Sequence, residues 1–565
     1  MILLRHPATL SRHRPGWVWT FLALIPLVYI GGCIVEASRN IAFQDELDTA
    51  IDLLLRLDAG AGWRETVDRL FALSNEHRTV TSRLLFAGSY WLTGTVNFHV
   101  IGAIGNAFIV AAGLILVAAA GTTPRRIRLG VVLAFLIFHL GNFENFLWSG
   151  ASIDHFQVVM LAVGAIALLA RDTRRSTIGA AVLAGLATFT LAHGSVVWIV
   201  GAARLAVDRR WHRLAGWGAA AALALGIFLH GFGANPGHHI PPLSVASGLR
   251  FGHYWLTLVG VPFAFGRTAI APAFGVVYLA LLGLLLWRGG LARERVALPV
   301  ILFALGSLGL IAYGRAEYAG GQVASRYIVL SCLAWALALF VLLEKASPPG
   351  RPYRALAWSL PALIAFNFCS NLEFELPAER FVEARDRAAL RFKQYESDGR
   401  GQIRLHPKDG HADALLREAA VRGIYELPRL CFEIDPPAAT PSRHMIAYVD
   451  ENMVTRSAIS LGGWAMLPGH ESDRGEIQVL FRSKNRTCAF TTITVMRTDV
   501  AQAYKEPRWR NCGFRLVILR HRLPIDDYQV GLVINRGGQA EFVMTDQWVR
   551  LANPVPGEPV RFNTL

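Results

Sequence analysis

Charged residues are scarce in this chain: only 17% of its 565 residues are Asp, Glu, Lys or Arg, whereas 53% are hydrophobic. A soluble protein of this length carries a charge at about a quarter of its positions. The length and composition exclude a disordered chain, a coiled coil and a disulfide-stabilised miniprotein, because six cysteines are spread over 565 residues. Lysine is also rare, with five residues against 51 arginines, which indicates genomic base composition rather than function.

The shortage of charge is confined to one part of the chain. Residues 1–370 hold 29 basic and 16 acidic residues, a net charge of +13, whereas residues 371–565 hold 27 and 25. The first part therefore has the composition of a membrane protein, and the second that of a soluble domain. The basic residues of the first part stand in short clusters between apolar runs rather than on one amphipathic face. This arrangement argues against nucleic acid as a partner.

Apolar runs predict about eleven membrane-spanning helices, at roughly 17–25 residues for each span. They lie near residues 17–35, 98–120, 128–141, 154–170, 177–192, 195–208, 214–232, 269–287, 296–313, 326–343 and 354–370. With the N-terminus inside, every predicted inner segment carries three basic residues, in agreement with the positive-inside rule. We therefore expect a multi-pass protein of the bacterial inner membrane, with a cytoplasmic N-terminus and a periplasmic C-terminal domain.

The first predicted outer loop, residues 36–97, contains amphipathic stretches rather than a linker. Phe43–Asp58 and Trp63–Leu73 have the apolar spacing of helices that lie on a membrane surface. Thr79–Thr93 is too short and too polar at its start to span, and Ser244–Phe265 has the same half-buried character. A protein that only crosses the membrane does not need such elements, so they predict a site at the outer interface.

The sequence predicts a helical linker region over residues 371–430 and a β-sandwich domain over residues 431–565. The second prediction depends on seven short alternating runs separated by turn residues. These runs are Met445–Val449, Ile459–Met466, Ile477–Phe481, Ala489–Val495, Phe514–Leu519, Tyr528–Asn535 and Glu541–Met544. Among Cys431, Cys488 and Cys512, the pair of Cys488 and Cys512 is the preferred disulfide, since each is beside a predicted strand.

The expected fold class is thus a polytopic α-helical membrane protein with an extracytoplasmic α+β region at its C-terminus. Residues 1–370 form the transmembrane domain, with outer loop helices at residues 40–95. Charged residues near the outer membrane surface are costly unless they serve a purpose, so each one is a candidate for function. Four groups of candidates stand out.

The first two groups are in the first outer loop. Asp45 and Glu46 can deprotonate an acceptor hydroxyl or hold a divalent metal, Mg²⁺ or Mn²⁺, beside a phosphate. The same pair also fits the solvated face of an amphipathic helix. Glu76, His77 and Arg78, which follow Asn75, fit either a polar cavity or a helix N-cap with its charged first turn.

The other two groups are in later outer turns. Glu144 and Trp148 combine a carboxylate with an aromatic ring, which suits sugar binding but also an aromatic belt at the membrane surface. Arg315, Glu317 and Arg326 surround the start of the tenth predicted span. The two arginines lie on the predicted outer side, where the positive-inside rule expects few basic residues. They therefore fit either recognition of a lipid phosphate or snorkelling to lipid headgroups.

In this order, the motifs resemble the GT-C superfamily of polytopic glycosyltransferases, such as the protein mannosyltransferases and the lipid A aminoarabinose transferases. The resemblance covers residues 15–345. It depends on Asp45-Glu46, on Ser82–Gly94 before the second span, and on Asn75–Arg78, which replaces the family's His-Pro-Pro-like motif. It implies that Asp45 is the catalytic acid–base residue, with Glu46 as an alternate, and that a polyprenyl-phosphate-linked sugar binds near Arg315 and Arg326.

The resemblance implies an inverting membrane glycosyltransferase that moves a sugar from a polyprenyl-phosphate donor to a glycan or lipid acceptor of the cell envelope. Such a transfer needs a base, stabilisation of the departing phosphate and exclusion of water. Two alternatives stay open: a transporter or flippase for a lipid-linked glycan, and a non-catalytic membrane protein that binds envelope glycans. In the C-terminal domain, Gly462–Ala465 and Arg497–Val500 resemble a β-sandwich attached to bacterial glycan enzymes, which implies acceptor or glycan binding.

Overall fold

The computed structural model consists of a helical part followed by a strand-rich part. It describes residues 16–232, 244–317, 320–348, 351–395, 405–408, 410–427, 431, 433–455, 458–472, 476–536 and 539–551. Tyr318, which follows the candidate Glu317, and the histidines His238 and His239 lie outside these residues. Contacts divide the chain into a helical unit, Met1–Glu383 with Leu415–Glu426, and a sheet unit, Ala384–Ala414 with Leu427–Leu565.

Helices α1 to α18 precede the strands. They are α1 Gly16–Ala37, α2 Asp52–Asp58, α3 Trp63–Leu70, α4 Val80–Thr93, α5 Phe98–Ala119, α6 Thr123–Ile137, α7 Phe143–Leu147, α8 Ser149–Ala151, α9 Gln157–Leu169, α10 Arg174–Thr188, α11 Val196–Val207, α12 Trp211–Leu229, α13 Val245–Gly260, α14 Ala271–Trp287, α15 Ala297–Arg315, α16 Ile328–Ala346, α17 Arg354–Tyr395 and α18 His411–Val421. Single π-helical turns, Leu47–Ile51 and Ser152–Phe156, lead into α2 and α9. The helices predicted over Phe43–Asp58, Trp63–Leu73, Thr79–Thr93 and Ser244–Phe265 are all present as α2 to α4 and α13.

Seven helices of the described residues are long and apolar enough to cross a membrane, which is the composition of a membrane-embedded protein. They are Gly16–Ala37, Phe98–Ala119, Ser149–Leu169, Trp211–Leu229, Ala297–Arg315, Ser325–Ala346 and Arg354–Asp386. An eighth is added if α6 and the segment Leu140–Leu147, which meet at 63°, form one broken span. The remaining predicted spans coincide with the shorter helices α10, α11 and α14, so the count of eleven stays a prediction.

The long apolar helices differ in how much protein covers them. In Ser325–Ala346, 83% of the apolar window is buried, which makes it a central helix of the unit. In Gly16–Ala37 only 17% is buried, and Trp17, Phe21 and Val28 are exposed. Apolar rows of this length on a folded protein need a cover that is not water, and lipid provides one.

A break between α6 and α7 is the main irregularity of the helical unit. The chain turns there, and the carbonyls of the last turn of α6 lose their helical partners. Asn367 of α17 donates to the carbonyls of Phe135, at 2.9 Å, and Phe138, at 3.0 Å. Asn371, one turn further along α17, accepts from the amide of Leu140 at 2.8 Å. Side chains of α17 thus replace the backbone bonds that the break removes.

A segment of the predicted linker region packs on the first long loop. The hydroxyl of Tyr425 donates to the carbonyl of Asn40 and accepts from the amide of Ala42, both at 2.8 Å. Its ring also meets Phe98 edge-on, with the ring centroids 5.3 Å apart. Tyr425 is buried, so it fixes the chain just before the candidate residues Asp45 and Glu46.

The sheet unit contains two sheets around one core. Its strands are β1 Glu433–Ile434, β2 Ala439–Pro441, β3 Ile446–Val454, β4 Ala458–Met466, β5 Glu476–Arg482, β6 Thr487–Thr491, β7 Ile493–Val495, β8 Gly513–Leu519, β9 Asp527–Arg536 and β10 Gln539–Arg550, with a short helix α19 Thr498–Ala503 between β7 and β8. The orders are β1-β6-β5-β9-β10-β2 and β3-β4-β8-β7, and among the described strands only β10 and β2 pair in parallel. Phe481 and Leu532 of the first sheet share a buried cluster with Leu461 and Leu516 of the second. All seven predicted strands are confirmed, with Ala489–Val495 divided into β6 and β7.

The predicted disulfide between Cys488 and Cys512 is wrong. All six cysteines are free thiols. Cys488 belongs to the core between the sheets, whereas Cys512 lies in a separate cluster with Met466, Val500 and Trp509. Proximity to predicted strands did not show that the two side chains enter different apolar clusters.

The bonds at the break of α6 make a direct prediction. We expect Asn367→Ala to lower the free energy of unfolding by about 1–3 kcal/mol, because a buried and a partly buried carbonyl lose their donor. Thermal unfolding of the detergent-purified protein, followed by tryptophan fluorescence, measures the change. Cys369→Ala, at an exposed position two residues along the same helix, is the matched control and should leave the midpoint unchanged. Equal midpoints for the two variants would contradict the assigned role of Asn367.

Candidate functional site

A carboxylate and an arginine join two distant loops of the helical unit. The Glu144 side chain, in the first turn of α7, accepts from Arg326 Nη1 and from the Arg326 amide, each at 3.0 Å. Ser325 Oγ accepts from the Glu144 amide at 3.0 Å and donates to its carboxylate at 3.3 Å. Asn145 adds a bond from its side-chain amide to the Arg326 carbonyl, at 2.9 Å. The short 3₁₀ turn that opens α16 is therefore fixed to the turn after the break of α6.

Asp45 acts electrostatically on this joint. Its residue is exposed, at the start of the helical segment that leads into α2. The carboxylate is close enough to Arg326 and to Asp154 to interact with both electrostatically. The guanidinium of Arg326 lies 5.3 Å from the centre of the Tyr327 ring. An exposed carboxylate and a restrained arginine thus lie within electrostatic range of each other, although 281 positions separate them in the sequence.

Glu46 differs from its neighbour Asp45 in burial and in bonding. Its residue is 1% exposed, and its Oε2 accepts from the amide of Phe43 at 2.8 Å. Its Oε1 accepts from the hydroxyl of Ser149, at the start of α8. A carboxylate that caps the preceding backbone and accepts from a second element holds the loop in place. Glu46 therefore holds the chain in place next to exposed Asp45.

A tight turn presents Glu76 and His77. Ser74 and His77 exchange backbone hydrogen bonds of 2.8 and 2.9 Å, and Asn75 has a φ of 51°, a left-handed conformation that asparagine tolerates. Glu76 then accepts from Arg315 Nη2 at 2.7 Å. His77 Nδ1 accepts from the amide of Ala192 at 3.2 Å. The end of α15 and the turn before α11 are thus tied to the first long loop.

Two buried histidines lie between these groups. The rings of His155 and His193 stack with centroids 6.1 Å apart, and His155 meets Tyr327 edge-on at 5.7 Å. His77, Arg315 and Arg326 all act electrostatically on His155. Both ring nitrogens of His193 are buried and lack a hydrogen-bond partner among the described residues. The cluster of polar groups therefore extends from the loops to the N-terminal ends of α9 and α11.

Two predicted site residues, Arg78 and Glu317, have other partners. The guanidinium of Arg78 donates to the carbonyls of Phe71, Phe228 and His230, so it joins the end of α3 to the end of α12. Glu317 pairs with Arg250 at 2.9 Å, and this hydrogen-bonded guanidinium lowers the pKa of the Glu317 carboxyl.

Trp148 belongs to an aromatic group beside Glu46. Its ring meets Phe43 edge-on at 5.7 Å and lies 6.4 Å from that of Phe381. Its Nε1 is buried without a hydrogen-bond partner among the described residues. A carbon added at Gly150 would lie 3.2 Å both from this nitrogen and from Glu46 Oε1, so the glycine permits their close approach.

The site includes residues that the sequence did not assign to it. Ser149 and Ser325 bind the two loop carboxylates, Asp154 accepts a hydrogen bond from Ser82, and His193 completes the histidine pair. An acid at the start of an apolar run, as at Asp154, is the one signal that could have indicated them. Serines carry no comparable signal, since their partners come from other loops.

Comparison with known proteins gives no relative for this chain. No protein-family model matches it, no curated protein matches its sequence, and no solved structure matches its fold.

The Glu144–Arg326 pair can be tested with a double-mutant cycle. We expect Glu144→Gln and Arg326→Gln to show a coupling energy of about 1–3 kcal/mol in the free energy of unfolding, because the partly buried charges share a bonded network. Arg267 and Glu373, 3.4 Å apart and both well exposed, are the matched control pair, with an expected coupling of about 0–0.5 kcal/mol. A coupling as small as that of the control would show that the pair does not hold the two loops together.

Proposed function

We propose that this protein is a membrane glycosyltransferase of the GT-C type. It transfers a sugar from a polyprenyl-phosphate donor to a glycan or lipid acceptor of the bacterial envelope, on the outer side of the inner membrane. In this proposal its N-terminus is cytoplasmic and the sheet unit is periplasmic. The observation that carries it is that exposed Asp45 lies within electrostatic range of Arg326, an arginine that Glu144 holds by a hydrogen bond.

The chemistry assigns a separate role to each charge. Asp45 takes the proton of the acceptor hydroxyl as its oxygen attacks the anomeric carbon of the donor sugar. The bond between that carbon and the phosphate oxygen breaks, and the sugar inverts its configuration. The departing lipid phosphate then gains negative charge, which Arg326 and Arg315 stabilise. A metal ion, if Mg²⁺ or Mn²⁺ takes part, would bind Asp45 and the same phosphate.

The bonds to Glu144 and Glu76 support this assignment. Each arginine bonds a carboxylate through a terminal nitrogen, Arg326 to Glu144 and Arg315 to Glu76. A guanidinium that is already oriented stabilises developing charge without a cost of reorganisation at the moment of reaction. Lipid snorkelling, the alternative for these arginines, requires no such carboxylate partners.

Transport of a lipid-linked glycan is a second candidate, because α6 is broken. Broken helices surround the substrate sites of many transporters, where freed backbone groups bind the substrate. In this break, Asn367 and Asn371 of α17 already bond the freed groups. The break therefore serves as a rigid turn in the proposed transferase.

The catalytic role of Asp45 makes the first prediction of this proposal. Asp45→Asn should reduce sugar transfer by about 100-fold or more, since the general base is lost while the side chain keeps its shape. The measurement is the envelope glycan profile of the native host with the variant as its only copy, normalised to the amount of protein in the membrane. Asp68→Asn, on the exposed helix α3 of the same loop, is the matched control. A full glycan complement with Asp45→Asn would remove Asp45 from the mechanism.

Reconstitution separates transfer from transport. Proteoliposomes containing the protein and a fluorescent polyprenyl-phosphate sugar should form polyprenyl phosphate and a glycosylated acceptor when envelope glycolipids are added. Movement of the intact lipid-sugar between leaflets, without cleavage of the sugar–phosphate bond, would instead establish the transporter. The Asp45→Asn protein is the control, because it should block cleavage and leave any transport intact.

A further inference from the structure

A row of aromatic rings lies on the four-stranded sheet of the sheet unit. Tyr448 of β3 is the register partner of Trp464 on β4, and their ring centroids are 6.4 Å apart. Tyr504, just after α19, lies 5.8 Å from Trp464, and Trp509 lies 5.6 Å from Tyr504. Tyr448 is 59% exposed and Tyr504 is 46% exposed. We call these four residues the aromatic strip.

Buried contacts hold two rings of the strip, Trp464 and Trp509, in place. Trp509 is buried, and its Nε1 donates to the carbonyl of His470 at 3.0 Å. Trp464 is half-buried and packs on the cluster that contains Met466 and Cys512. Two of the rings are therefore held by this separate buried cluster, while Tyr448 and Tyr504 are exposed to solvent. A preorganised set of rings gives contact area at a small cost in conformational entropy.

Glycine lets a charged side chain lie against the strip. Gly513 of β8 is the register partner of Trp464, and an added carbon there would lie only 2.5 Å from Arg497 Cγ. The Arg497 side chain thus crosses the sheet where a side chain at residue 513 would stand. It reaches β3, where Nη1 donates to Asp450 at 2.6 Å, and it also donates to Asp499 at 2.7 Å.

A second ion pair continues this polar border. Arg515 of β8 donates to Glu451 of β3 at 3.0 Å, and the same carboxylate accepts from Ser460 Oγ at 2.9 Å. Together with Arg497, Asp450 and Asp499, these groups form what we call the polar rim. The rim contains two guanidinium groups and three carboxylates, so the surface carries almost no net charge.

We propose that the aromatic strip and the polar rim form a binding site for a neutral carbohydrate chain. The apolar faces of sugar rings can stack on Tyr448, Trp464 and Tyr504, and sugar hydroxyls can donate to carboxylates and accept from guanidinium groups. A row of rings rather than a single ring suits an extended chain. Polyanions such as nucleic acid require a surface with an excess of positive charge, which the paired rim does not offer.

This inference is independent of the proposed transferase, since it depends only on residues of the sheet unit. The test uses the full-length detergent-purified protein on an array of neutral polysaccharides, namely a mannan, a galactan and a β-glucan, with heparin as an anionic comparison. We expect binding to at least one neutral polysaccharide. Tyr448→Ala and Tyr504→Ala should each weaken that binding about fivefold or more, since each removes one stacking surface.

Trp548→Ala is the matched control, because Trp548 is an exposed aromatic residue on the other sheet. It should leave binding unchanged, and all variants should keep the thermal midpoint of the unaltered protein. Tyr448, as the most exposed ring of the strip, is the variant least able to disturb folding. Failure to bind any neutral polysaccharide, binding to heparin alone, or binding that survives both tyrosine variants would overturn the proposal.

Discussion

The need to satisfy buried backbone groups at the break of α6 is the constraint on which the helical unit depends. In an apolar surrounding each unbonded carbonyl or amide costs several kcal/mol, so a helix can break only where other groups replace its bonds. Asn367 and Asn371 supply those groups, and Ser370 lies within 2.7 Å of the buried His139 ring at the break itself. One face of α17 is therefore polar for a structural reason.

The break also determines where the candidate site lies. Because the chain turns after α6, Glu144 meets Arg326, and Ser149 a few residues later meets Glu46. Glu46 in turn fixes the chain beside exposed Asp45. The position of a carboxylate in the first long loop thus depends on a helix break about 90 residues away in the sequence. Burial makes these bonds specific, because each would leave an unpaired charge if its partner moved.

Local patterns were enough to predict most elements but not their partners. Alternation located all seven predicted strands, and helical spacing located the amphipathic helices α2 and α3, because each pattern reflects burial of one face. The candidates Asp45, Glu144, Arg315 and Arg326 were visible as charges between apolar runs. Their spacing in the sequence could not show which of these charges pair with each other. Glu76 and Arg315, for example, are brought together by packing although they are far apart in the sequence. The same limitation produced the wrong disulfide, because Cys488 and Cys512 belong to different clusters.

Arg78 and Glu317 show why residue type alone does not define a site. Arg78 was a reasonable candidate for an anion, yet its guanidinium bonds three carbonyls at helix ends, where positive charge complements the helix dipole. Arg326 has the same chemistry but is held by one carboxylate next to an exposed acid. The two arginines differ in the groups that they bind. Arg78 donates to backbone carbonyls, whereas Arg326 lies within electrostatic range of Asp45. A negative ligand there would gain from the charge of Arg326 and from its fixed orientation.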